Sequence, residues 1–153
     1  MSENLTFRRA TIDDLPKIVE MLADDFLGKQ RERFQIPLPD DYVRAFEEIN
    51  ADENNDLIVV EQNGETIGTL QLTFIPSISF QGGRRAQIES VRVVENRRGQ
   101  GIGKKMFEWA IRRAEQKSCR MIQLSTNNDR AEAQRFYENL GFKASHVGMK
   151  LYL

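Results

Sequence analysis

The sequence predicts an α+β fold, a largely antiparallel sheet with helices on its faces, and three observations carry that prediction. Short apolar segments in the first hundred residues are separated by turn signals, as in paired strands. Two stretches, Ile12 to Phe26 and Ile102 to Ala114, place apolar residues at helical spacing. After residue 85 strand-like and helical segments alternate, with no internal repeat, low-complexity tract or linker, so a single domain over 1–153 is expected.

The elements follow in order. Leu5 to Arg9 alternates and reads as a first strand. Thr11 caps a helix with Asp13 and Asp14 in its first turn, where the helix dipole favours acids; its apolar stripe carries it to about Gly28. Lys29 to Pro39, with Pro37 and Pro39, reads as a loop. Asp40 and Asp41 open a second helix through about Ile49. Asp56 to Glu61 is a strand, Asn63-Gly64 a hairpin turn, and Thr66 to Phe74 the returning strand. Pro76 to Gly83 is a loop and Arg85 to Val94 a fourth strand. A glycine turn opens a helix with Ile102, Met106, Trp109, Ala110 and Ala114 on one side. Met121 to Leu124 is a short strand, and Arg130 to Asn139 a helix stopped by Gly141. Phe142 to His146 and Met149 to Leu153 are expected as two last strands around Gly148, bringing the sheet to six or seven.

Composition narrows the function. The 153 residues are 40% apolar and 29% charged, which suits a globular domain rather than a disordered one. Lys and Arg number 22 against 23 for Asp and Glu, so no broad positive field exists and nucleic acid is not expected as a partner. The one cysteine, Cys119, can close no internal disulfide, and no metal is expected. Met1 to Arg9 lacks the apolar core of a signal peptide, and no run approaches the ~20 apolar residues of a membrane span. A cytoplasmic protein with no membrane partner is the expectation.

The segment richest in chemistry is Arg97-Arg98-Gly99-Gln100-Gly101-Ile102-Gly103-Lys104, set between a strand and a helix. Alternate glycines let the backbone curl so that successive N–H groups point into one concavity. The helix N-terminus adds its own unpaired N–H groups and dipole, and Arg97, Arg98 and Lys104 add charge, so a pyrophosphate fits. A P-loop is excluded because Lys105 follows Lys104 and Arg stands at 98. A dinucleotide fingerprint is excluded because Gly101 and Gly103 are only two apart and Leu124-Ser125-Thr126-Asn127 offers no acid. A glycine turn without a ligand remains the plain alternative.

In the strand before this turn the apolar residues change parity, Ala86 and Ile88 against Val91 and Val93. A β-bulge at Glu89-Ser90 would put both sets on one face and free backbone groups for a ligand; a strand buried on both faces would also show mixed parity.

These residues closely resemble the GCN5-related N-acetyltransferase superfamily. Its Arg/Gln-x-x-Gly-x-Gly/Ala signature is matched by Arg98-Gly99-Gln100-Gly101-Ile102-Gly103. Glu89-Ser90-Val91-Arg92-Val93 before it, and Asn127, Ala133, Phe136-Tyr137-Glu138 and Gly141-Phe142 after it, resemble the rest of the C-terminal half. The match is strong over roughly Ala86 to Leu153, and the earlier part agrees only in element order. Leu124 to Asn127, Arg135 to Tyr137 and Ser145-His146 are also similar to bacterial aminoalkylphosphonate acetyltransferases.

The resemblance implies a splayed, bulged central strand and a bound acetyl-CoA with no metal. The pyrophosphate would sit on the amides of Arg98, Gly99, Gln100, Gly101, Ile102, Gly103 and Lys104, the pantetheine arm against Val91 and Val93, with a hydrogen bond from Asn127. Acetyl transfer to an amine needs a base, a polarised thioester carbonyl and a proton for the leaving thiolate. Glu89 is the candidate base, directly or through a water, since partial desolvation beside the bulge would strengthen a carboxylate's hold on a proton. The N–H near Val91 would polarise the carbonyl. Tyr137 is the candidate acid, although Ala133, Phe136, Tyr137 and Leu140 also form an ordinary buried stripe. His146 is expected to be structural or to touch substrate, Cys119 to be an inert buried thiol, and Arg112-Arg113 to lie on a solvated face.

A small-molecule primary amine is the expected acceptor. A peptide or protein amine, and a non-catalytic acyl-CoA-binding regulatory module, are the alternatives; a DNA-binding regulator is opposed by the charge balance and the lack of a helix-turn-helix pattern. Acceptor contacts are expected from Gly28 to Asp41, which mixes Lys29, Arg31 and Arg33 with Glu32, Asp40 and Asp41. A homodimer is a possible assembly.

Overall fold

A computed structural model describes residues 4–153; the first three residues of the N-terminal stretch lie outside the described residues. Five strands, β1 (Leu5–Arg9), β2 (Asn55–Gln62), β3 (Glu65–Ile75), β4 (Arg85–Val93) and β5 (Met121–Gln123), pair in chain order in one sheet. The first three pairings are antiparallel and the last is parallel. Asn63 and Gly64 both take positive φ, 53° and 79°, the twist a tight β2–β3 hairpin requires. A parallel β4–β5 pair needs a crossover, which the helix α4 (Ile102–Gln116) supplies.

Both faces of the sheet are covered. Ile102, Met106, Phe107, Ala110 and Ala114 of α4 pack on Ile58, Val60, Leu70, Leu72, Phe74, Ala86 and Ile88. On the other face Leu15, Ile18 and Val19 of α1 (Leu15–Ala23) and Phe46 of α3 (Asp40–Ala51) meet Ala10 and Val59. The Trp109 ring stacks on Phe7 at 5.1 Å. Asp56, only 1% exposed, accepts hydrogen bonds from Arg113 Nε at 2.7 Å and Arg9 Nη1 at 3.2 Å. Arg113 therefore does not lie on a solvated face as expected: it ties α4 to β2 through a carboxylate that needs a partner once buried.

The N-terminal helical stretch is broken rather than continuous. A 3₁₀ turn at Ile12–Asp14 leads into α1, and a separate turn, α2 (Gly28–Arg31), follows where a loop was expected. The break has a packing cause: a Cβ at Gly28 would come within 2.0 Å of the Leu22 carbonyl oxygen, so the chain doubles back tightly there. Ser79–Gly82 forms a single turn in which Phe80 and Gln81 adopt left-handed φ.

Among the described residues the sheet has five strands, not six or seven. The residues from 142 to 153 are irregular. Phe142 packs against Phe107 and Tyr137, but Val147 to Leu153 are exposed. Alternation met the pattern rule for a strand, yet a strand exists only beside a partner that takes its backbone groups, and among the described residues no strand pairs with this segment.

Candidate active site

The site is organised by β4. Gln71 of β3 faces Glu89 and Thr69 faces Arg92, so Ser90 and Val91 together stand opposite one residue, Leu70. That is a β-bulge, with Ser90 at φ 54°. Its effect on parity is as the sequence suggested: Ala86, Ile88, Val91 and Val93 all join the apolar cluster under α4. Glu89 and Arg92 are thereby left toward the opposite face.

The pairing of β5 with β4 covers only Arg85 to Gln87. From Ile88 onward β4 runs on without it, and its peptide groups on that side are released from the ladder. Beside this opening lies a cavity of about 510 Å³, lined by Val91 to Val93, Arg98, the loop at Asp25 to Leu27, and Asp129 with Arg130.

At the end of β4 the chain enters the glycine turn. Gly99 and Gly101 have φ of 75° and 78°, and no atom lies within 4 Å of where a Cβ would stand at either. The backbone conformation favours glycine, and the space above it is open to a ligand. Gly101 caps α4, and Lys105 is the first residue whose N–H reaches back to it, at 3.2 Å. The N–H groups of Ile102, Gly103 and Lys104 therefore have no partner within the helix. Gly103 is different: it is helical, and a Cβ there would only touch Phe136 at 3.7 Å.

The basic side chains around the turn are partly engaged. Arg98 Nε donates to the Val93 carbonyl at 3.0 Å and its Nη2 lies 3.5 Å from the Asp24 carboxylate, so Arg98 braces the turn against β4 and the end of α1. Gln100 donates to the Asn96 carbonyl. Lys104 and Glu108 are 4.0 Å apart along an exposed face.

Glu89 is exposed, so the desolvation expected beside the bulge is not present. Tyr137 sits on α5 (Ala131–Asn139), half-buried among Phe107, Phe136 and Phe142 at 5.4 to 6.2 Å between ring centres. Burial pushes its phenol pKa up, and the charges of Arg130 and Arg92 pull it the other way. The ring thus belongs to the core stripe while its hydroxyl feels the cations lining the cavity. Asn127 is occupied by its own turn: Oδ1 accepts from the Asp129 N–H at 2.9 Å and its carbonyl from the Arg130 N–H at 3.0 Å. Its amide NH₂ is the group left to meet a ligand.

Sequence reasoning missed a charge cluster across the cavity. Asp25, from the α1–α2 connection, lies 3.3 Å from Arg92 of β4 and 2.9 Å from Arg130 ahead of α5. Burial would raise the Asp25 pKa, but the Gly28 N–H and the two guanidinium groups more than offset it and hold it below the usual carboxylate value. Arg92 is 14% exposed and its Nε is buried without a partner. Its position between two inward valines was the available sign that it faces the other side.

Other singled-out residues lie apart from this chemistry. Cys119 is half-buried and burial pushes its thiol up, which suits an inert thiol. His146 is exposed, with Nδ1 2.7 Å from Ser145 Oγ. In the expected acceptor segment, Arg31 pairs with Glu32, and the Tyr42 hydroxyl donates to Glu32 while accepting from the Arg33 N–H, so part of its charge is already matched. Among the described residues no group of three or more His, Cys, Asp or Glu side chains could hold a metal, and no helix is long and apolar enough to cross a membrane.

Known proteins resemble this chain in sequence and in fold. The aminoalkylphosphonate N-acetyltransferase of Salmonella typhimurium is 34% identical over 88 residues, 56% of this chain and 54% of the enzyme, so the match spans about half of that relative. A crystal structure described as a transcriptional regulator from Bacillus halodurans C-125 is 53% identical, with a TM-score of 0.95 over 98% of this chain and all of that one. A predicted acetyltransferase from Clostridium acetobutylicum, solved with acetyl-CoA, shares the fold at 20% identity and a TM-score of 0.75 over 97% of this chain and 96% of its own. The acetyltransferase (GNAT) family model matches residues 16–142, a span that includes the bulged strand, the glycine turn and the helix of Tyr137; this chain belongs to that family.

Proposed function

We propose that this protein moves the acetyl group of acetyl-CoA to the primary amine of a small molecule by direct attack on the thioester. The observation that carries the reading is the continuous path formed by β4: bulged at Ser90, free of β5 beyond Gln87, and leading into unpaired N–H groups at the start of α4. Acetyl-CoA is an anionic pyrophosphate joined to an amide-bearing arm, and this path presents donors for both in that order. The open space over Gly99 and Gly101 fits the bulky anion.

In this reading the amides from Arg98 to Lys104 hold the pyrophosphate. The peptide groups at Val91 and Val93 and the Asn127 NH₂ hold the pantetheine amides. Bound acetyl-CoA supplies an activated acyl group on a thiol that can leave. Glu89 takes the proton the amine loses as its nitrogen bonds to the acetyl carbon. The Val91 N–H polarises the carbonyl oxygen, and Tyr137 returns a proton to sulfur as the carbon–sulfur bond breaks. A phenol held up by burial keeps its proton at neutral pH and has it to give.

A panel of primary amines, with CoA release followed from acetyl-CoA, tests the proposal. Aminophosphonates belong in it first because of the Salmonella relative, followed by polyamines, amino acids and peptides. Turnover of a small amine supports the reading, and turnover of peptides alone moves the acceptor to a protein. The description of the Bacillus halodurans relative favours a second reading, an acyl-CoA-binding regulatory module. CoA binding without turnover of any amine would select it.

A further inference from the structure

We propose that Arg92 and Arg130 form an anion subsite for the acceptor, so that the amine acetylated here also carries an acidic group, a carboxylate or a phosphonate. The subsite belongs to the acetyl-transfer reading and rests on it. The two guanidinium groups come from separate elements, β4 and the approach to α5, and converge on one carboxylate. Asp25 Oδ2 lies 3.3 Å from Arg92 Nη2 and 2.9 Å from Arg130 Nη2, while its Oδ1 accepts from the Gly28 N–H. Two cations thus share one anion, and one positive charge is left over. The rest of the lining does not cancel it: Arg98 is matched to Asp24, and Asp129 stands exposed at the rim, where water screens it.

Arg92 is the less satisfied of the pair. Its Nη1 donates to the Val91 carbonyl at 2.9 Å, Nη2 has only the long contact to Asp25, and Nε is buried with no partner. Burial pulls its pKa down; Asp25 opposes that, and the like charges of Arg130 and Arg31 add to it. A guanidinium stripped of water and short of partners gains more from an incoming anion than a solvated one does. Arg130 is more open, at 38% exposure, and among the described residues its side chain makes one hydrogen bond, to Asp25, so further N–H donors remain. The location suits an acceptor. Both arginines line the cavity of about 510 Å³, Glu89 shares Arg92's side of β4, and the Tyr137 phenol feels both guanidinium charges. A small amine seated by its acidic group would therefore present its nitrogen beside the residues proposed for proton transfer, the positioning a guanidinium clamp provides.

Steady-state kinetics on matched primary amines tests this, with aminoethylphosphonate and β-alanine set against ethanolamine, which puts a neutral hydroxyl where the acid stands. The acidic amines should show a kcat/KM on the order of 10–100-fold above ethanolamine, the range expected of charge-assisted hydrogen bonds. The ratio between phosphonate and carboxylate then tells which acid the subsite prefers. Arg130→Gln should remove most of that advantage through KM, with no matching loss of acetyl-CoA affinity, and Arg130→Lys should restore part of it. Isothermal titration of both acids into the CoA-loaded protein separates the subsite from the reaction. Arg130-dependent binding without turnover of any amine would refute acetyl transfer and support the subsite. Turnover of ethanolamine as fast as the acidic amines would support acetyl transfer and overturn the subsite. Failure of both acids to bind would overturn it too. So would an Arg130→Gln variant that slows all the amines alike or weakens acetyl-CoA equally, since the cluster would then be a structural tie or a donor contact. The comparison among the amines uses the parent protein and decides the matter even where Arg130→Gln does not fold.

Discussion

Tyr137 is the residue at which packing and chemistry can be separated most sharply. Its ring is held by three aromatic neighbours, so Tyr137→Phe keeps the contacts and removes only the hydroxyl. An acid role predicts a fall in kcat of about 10²–10⁴-fold, with little change in the KM for acetyl-CoA and in the melting temperature. The loss should shrink with an acyl donor whose thiol is more acidic. Activity within a few-fold of the parent with every donor would leave the tyrosine as a core aromatic. Glu89→Gln should slow turnover most at low pH, where an amine is hardest to deprotonate, with CoA affinity nearly intact; a pH–rate profile matching the parent would remove Glu89 as the base. Both residues were visible in the sequence because they flank motifs. The Asp25–Arg92–Arg130 cluster was not, since its members come from three distant segments and only the fold brings them together.

Elements differ in how far local sequence decides them. The bulge in β4 was readable because a parity change within one apolar strand has few physical causes. The final strands were misread because alternation reports a strand's faces and says nothing of its neighbour. Arg113 was misread for a related reason: its burial partner, Asp56, is 57 residues away. Two substitutions in the glycine turn test the local argument by urea unfolding. Gly101→Ala should cost about 1–2 kcal/mol because an L-residue is strained at φ 78°. Gly103→Ala, in helical backbone with room for a methyl, should be neutral or stabilising by up to about 1 kcal/mol.

The start of α1 carries a pH signature. Asp14 accepts two hydrogen bonds from Arg8, at 2.7 and 2.8 Å, and one from the Thr11 N–H at 2.7 Å, closing a capping box. The Arg8 bonds hold its pKa below the ordinary carboxylate value against the opposing effect of burial. A depressed folded pKa stabilises the fold above the unfolded pKa of about 4, and that stability is lost as pH falls through the folded value. Asp14→Asn should therefore cost about 1–3 kcal/mol at neutral pH. Its deficit against the parent should narrow as the pH drops below about 4. A deficit independent of pH would show that shape rather than charge is what Asp14 contributes.

At the scale of the whole molecule, the sheet, its bulge and the helix N-terminus act together only if they hold one elongated anionic ligand. Thermal unfolding with acetyl-CoA is the most direct measurement of that claim. At about a hundred times the dissociation constant a ligand adds roughly 2.7 kcal/mol to the folded state. For a chain of this size that raises the melting temperature by about 5–10 °C. Gly101→Glu sets a carboxylate in the open space where the pyrophosphate would sit, and its shift should vanish. Gly101→Ala, which carries the same backbone strain without the charge, should keep most of the shift relative to its own baseline. A parent whose melting temperature does not move with acetyl-CoA, or a Gly101→Glu variant that moves as far as the parent, would contradict the account.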